Sequence, residues 1–165
     1  MAKQLAQAAL TMALAAATLP GQYNYQYVTA GSGGVSLNNL VTEDASNPTL
    51  FVASSTSACG AGFALAAATS GSAFPLASGA GTVQTGVADS TAITAGHILG
   101  GGSPGGTVHD LGTNSRASVG SAQCVVGVAL AGASAGSTVS LLYDGPGSYG
   151  GGPGSANLTV PEAAP

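Results

Sequence analysis

Charge is what this chain has least of. Lys3 and Arg116 are the only basic residues in 165, against six acids, for a formal net charge of −4. A protein that grips a nucleic acid needs several Lys or Arg to neutralise phosphates, so that partner is excluded. Lysine-based covalent chemistry would rest on Lys3 alone. Tryptophan is absent, and there are only 3 Phe and 5 Tyr. Leu, Ile, Val and Phe together number 33, whereas Gly and Ala number 27 and 32. So few large apolar side chains barely offset the entropy of ordering the chain. The high net charge that marks disorder is missing as well. The expectation is a folded protein with a thin core, stabilised in part by neighbouring subunits or a partner surface. A sparsely charged surface that simply associates at high concentration is the plainer alternative.

Long apolar runs are missing too. "MAKQLAQAALTMALAAATLPGQ" at the N-terminus is too short and too Ala-rich for a membrane-spanning helix, so no membrane partner is expected. It has the outline of a cleaved secretory signal. It also reads as an N-terminal arm, residues 1–20, helical across 3–17 and ended by Pro20 and Gly21. The arm is the reading preferred here, with Lys3, Leu5, Leu10, Met12 and Leu14 as its interface candidates.

Chemically capable groups are equally sparse. Cys59 and Cys124 are the only cysteines. A metal site needs more ligands at short spacing, and the two cysteines are expected to be buried free thiols, with a disulfide between them as the alternative. Asp110 beside His109, with Ser103 upstream, outlines a hydrolytic triad on paper. Adjacent residues on a strand point to opposite faces, however, and no Gly-x-Ser-x-Gly elbow surrounds a nucleophile. "GGGSPGGT", residues 100–107, lacks the Gly-Lys-Ser/Thr ending of a phosphate-binding loop. Glu43 and Asp44 are adjacent but belong to no spaced calcium-ligand series. No catalytic, cofactor-binding or metal-binding residue is assigned, and a non-enzymatic protein is expected.

What the chain does contain is strand grammar. In "QYNYQYVTA", Tyr23, Tyr25 and Tyr27 alternate with polar residues, which places three rings on one face of a strand. They either cover a thin core with their hydroxyls at its wet edge or form an aromatic contact stripe, since Tyr is favoured at interfaces. "TEDASNP", 42–48, reads as an exposed loop and "TLFVA", 49–53, as a strand. Residues 54–81 are low in complexity, with room for one short helix around 61–68. Clearer strands follow at 82–88, at about 124–130 and at 137–143, and "GGGSPGG" reads as a turn or flexible tip. "GVADSTAITAGHIL", 86–99, loosely echoes "GVALAGASAGSTVSL", 127–141, as a repeated strand-turn-strand unit. The fold class is therefore mainly β, a small barrel or sandwich of short strands with Gly-rich turns. The arm precedes it, the β-rich domain covers 21–147 with 83–147 best defined, and a Gly/Pro-rich tail covers 148–165.

Residues 83–147 carry a family resemblance. Ala95-Gly96 entering a strand, a Gly-rich tip, "VVGVAL" at 125–130 and "AGSTVSLL" at 135–142 resemble the decoration, or cement, proteins of tailed-phage capsids. The resemblance implies a compact β-rich fold, commonly a homotrimer, on the outer capsid surface of the virion. It further implies that the protein clamps neighbouring major capsid protein subunits and docks an extended N-terminal segment onto the shell. The alternative is a secreted or surface-exposed adhesive module without enzymatic activity. The first 80 residues carry no such resemblance.

Overall fold

The computed structural model describes residues 25–55, 60–113 and 124–145. Ten strands lie among them, in two groups of five. The first group is β1 (Tyr25–Ala30), β2 (Leu40–Asp44), β3 (Asn47–Ala53), β4 (Gly62–Ala64) and β5 (Ala73–Ala77). They close a barrel in the order β1-β3-β2-β4-β5, with β1 antiparallel to β5 and parallel to β3. Its interior holds Ala30, Val41, Phe51, Ala64, Phe74 and Leu76.

The second group is β6 (Val83–Val87), β7 (Ile98–Gly101), β8 (Val108–Asp110), β9 (Val125–Ala129) and β10 (Thr138–Tyr143), in the order β6-β10-β9-β7-β8. Alternation decides the faces. Val139, Leu141 and Tyr143 of β10 are buried while Thr138, Ser140 and Leu142 are exposed, as a period of two requires of a half-buried strand. This group is a five-stranded sheet whose edges β6 and β8 approach at one isolated parallel bridge, Ala88 to Val108, and it is called the second barrel for that incomplete closure.

The two groups share one plan. Walking round the first barrel gives β1-β5-β4-β2-β3 and a parallel closure at Ala30 and Phe51; walking round the second gives β6-β10-β9-β7-β8 and a parallel contact at Ala88 and Val108. The connections repeat too. Val35 and Ala68 exchange two backbone hydrogen bonds in the first, and Ile93 and Ala133 exchange two in the second. Each of these four residues is followed by a turn at a positive φ: Asn38 (64°), Gly71 (80°), Gly96 (81°) and Gly136 (73°). Glycine, and next best asparagine, tolerate that conformation. The turn amides of Asn38 and Gly96 donate to Ala64 and Ala129 at matching places in β4 and β9. The repeat expected at 86–99 and 127–141 is thus half of a larger one, for the first barrel uses the same turn twice more.

Several expectations are corrected. Residues 61–68 hold no helix: Phe63 and Ala64 pair with Ala77 and Leu76, and those contacts override the helical preference of alanine. The acidic stretch 42–48 is a tight hairpin rather than a loop, with the Ser46 amide donating to Asp44 Oδ1 and the Thr49 amide to Asn47 Oδ1. Cys124 is disulfide-bonded, not a free thiol. The other cysteine, Cys59, lies outside the described residues, as do the arm and the C-terminal tail.

The barrels are joined through an outer face of the first. Val41 and Ala64 point into the first barrel, so their strand neighbours Leu40 and Phe63 point away from it and pack among Leu99, Val108, Leu141 and Tyr143 of the second. Phe63 meets Tyr143 edge to face, with ring centroids 5.5 Å apart and planes at 82°. Gly86 on β6 makes room: a Cβ there would lie 3.0 Å from the Phe63 ring. Tyr143 donates its hydroxyl proton to the Gly60 carbonyl, and burial, with Asp144 beside it, pushes that hydroxyl's pKa well up, so it stays protonated. The 102–107 loop adds a backbone clasp. The Leu40 amide donates to the Gly106 carbonyl and the Gly106 amide to Ser54, so this glycine-rich segment is a docked connector rather than a free tip. Phe63→Ala is expected to remove about 3–5 kcal/mol of stability, measured by denaturant unfolding; a loss below about 1 kcal/mol would mean that the ring is not the plug described.

Candidate functional site

Two kinds of surface group stand out: the tyrosine stripe of β1 and a set of histidine–aspartate pairs around β8. Tyr25 and Tyr27 lie two residues apart on β1, opposite Ala77 and Pro75 of β5. They are 36% and 58% exposed, so they do not cover the core. Tyr23 and the arm candidates Lys3, Leu5, Leu10, Met12 and Leu14 lie outside the described residues.

On β8, His109 and Asp110 do point to opposite faces, and each takes a different partner. His109 donates from Nδ1 to Asp89 Oδ2 over 2.7 Å. His97 donates from Nδ1 to the Asp110 carboxylate at 2.8 and 2.9 Å. A carboxylate only accepts, so the proton sits on Nδ1 in both rings. Asp110 also accepts the amides of Thr94 and Gly112 at 2.9 and 2.8 Å. Burial alone would raise its pKa, but the two amides and His97 outweigh that and hold it below the ordinary aspartate value. Asp89 is 6% exposed, with Oδ1 accepting the Thr91 amide at 2.8 Å.

The first barrel shows what these pairs are for. There the Ser36 amide, the counterpart of Thr94, is held by Asn39 Oδ1 at 2.9 Å, and Asn39 occupies the place of His97. One asparagine does the work that His97 and Asp110 do together. The place of Asp89 is taken by Gly31, whose amide bonds to Phe51 as that of Asp89 bonds to Val108. The histidine–aspartate pairs are therefore local additions to a plan that folds without them. Sequence reading found His109 and Asp110 but missed Asp89 and His97 as partners, because both connections run across strands that only the topology brings together.

A cavity of about 280 Å³ opens beside His109, lined by Asp89, Gly100, Gly102, Ser103 and Leu111 among others. Ser103 shares this cavity with His109 with no hydrogen bond between them, and Asp110 bonds His97 rather than His109. The Ser103/His109/Asp110 triad drawn from the sequence is thus not assembled. Among the described residues no three His, Cys, Asp or Glu side chains gather as a metal-ligand group.

With that geometry in hand, comparison with known proteins is informative at the level of architecture. No family model matches the chain, and no curated protein matches it. Among solved structures it is similar to the head fiber gp8.5 N base in bacteriophage phi29. The fold resembles that of this phage head-fiber base. The two are 17% identical with a TM-score of 0.55, over 73% of this chain and 92% of that one. At that identity the likeness is one of fold, and it extends well beyond the 83–147 segment that carries the sequence resemblance.

Asp110 generates a pH prediction. A carboxylate with a depressed folded-state pKa contributes stability above its unfolded value, and that contribution is lost as pH falls through the folded value. Stability should therefore decline below about pH 4, and Asp110→Asn should lower stability at neutral pH by about 2 kcal/mol while making the acid decline shallower. Denaturant titrations at pH 3 and pH 7 check this; equal acid sensitivity in the two proteins would contradict it.

Proposed function

We propose that this chain is a structural component of a phage virion that attaches to the outer surface of the capsid as a homo-oligomer. In the finer form, it bridges neighbouring major capsid protein subunits as a trimer. The observation that carries the reading is the fold likeness to a head-fiber base, which takes in 92% of that chain. The strand pattern of residues 83–147 supports it from the sequence side. The physical make-up suits a clamp. Gly- and Ala-rich surfaces allow close backbone approach, and many copies on one shell let individually weak contacts suffice.

The side chains assigned to the shell contact are Tyr25 and Tyr27. Both stand exposed on one strand of a closed barrel whose interior they do not need, and a tyrosine supplies a large contact area at small entropic cost. The test is sedimentation with phage shells stripped of accessory proteins. The unaltered protein should travel with the shells. Replacing both tyrosines by Ala should weaken binding about thirtyfold, the equivalent of losing an aromatic anchor worth about 2 kcal/mol. A protein that ignores every shell offered would return the reading to a secreted adhesive module.

A further inference from the structure

We infer that the outer face of the second barrel, centred on Val128 and Leu142, is where copies of this chain join one another. The inference rests on the self-association in the proposed function and names its surface. Its ground is the internal repeat. In the first barrel a row crosses three strands on the outer face: Leu40 pairs with Phe63, and Phe63 with Ala77. All three are fully buried, with Leu40 and Phe63 set in the core of the following barrel. The counterpart row in the second barrel has the same register: Ile98 pairs with Val128, and Val128 with Leu142. There Ile98 is buried against Val125 and Leu111 and Val128 is half-buried, but Leu142 is 39% exposed, and beside it Val83, its partner on β6, is 49% exposed.

One face of a repeated architecture is thus covered by a barrel in its first occurrence and is left open on its Leu142 and Val83 side in its second. The occupant that the architecture itself selects is another barrel of the same kind, supplied by a second copy. Charge points the same way. Val83, Thr85, Ser140, Leu142, Val128 and Leu130 carry none. Of the acids among the described residues, Glu43 and Asp44 lie on the first barrel, Asp89 and Asp110 are held by histidines, and Asp144 is partly buried. Copies that carry a net negative charge meet with least repulsion where neither presents an acid.

The test is the mass of the full-length protein by light scattering across a concentration series, for the unaltered chain, Leu142→Asp, Val83→Asp and a control, Leu37→Asp, at an exposed site on the first barrel. Melting curves establish that each variant is folded. The unaltered chain and the control should show an integral multiple of the chain mass, and both face variants a single chain. Folded face variants that keep the multiple would overturn this surface while leaving self-association intact. A single-chain mass for the unaltered protein would overturn self-association itself, and this surface with it.

Discussion

The arrangement depends on one insertion: the Phe63 ring entering the second barrel where Gly86 leaves space for it. A chain with so few large side chains cannot give each barrel a generous core of its own. Phe63 and Leu40 answer that constraint by serving the second barrel from the first, while Tyr143 closes the junction with a ring contact on one side and a hydroxyl bond to Gly60 on the other. The loop between β7 and β8 then ties the first barrel back through Leu40, Gly106 and Ser54. Two short-stranded units that would be marginal alone become one structure with a common interior.

Much of the second barrel was legible in the sequence. Val83–Val87, Val125–Ala129 and Thr138–Tyr143 alternate or run apolar between Gly-rich turns, and the Ala-Gly turns at 95–96 and 135–136 stand out because a positive φ selects glycine. The first barrel was harder to read, for physical reasons. Its matching turn uses Asn38 in place of glycine, its β4 is three residues long, and its Ala-rich neighbourhood carries a helical preference that only pairing with β5 overrides. The duplication was visible as a sequence echo within the second half and invisible between halves, since the plan is kept by backbone hydrogen bonds that many side chains permit.

The candidate sites divide along the same line. The spacing of Tyr25 and Tyr27 placed them on one face of a strand but left open whether that face is buried, and in the structure Gln26 between them is exposed as well. The pairing of His97 with Asp110 and of His109 with Asp89 could not be found from spacing, because each joins segments 13 or 20 residues apart across the edge of a sheet. That the first barrel folds with Asn39 and Gly31 in those places marks the pairs as refinements of the second unit. The likeness to a head-fiber base covers 73% of this chain and is one of fold.

The most direct test of the shared interior is native-state hydrogen exchange read at single amides. Leu40 and Gly106 report on the junction, Ala68 on the first barrel and Ala133 on the second. If the barrels form one cooperative unit, all four amides open with the same free energy, equal to that of global unfolding. Exchange at Leu40 and Gly106 while Ala68 and Ala133 stay protected would show two barrels that part independently, and would contradict the account.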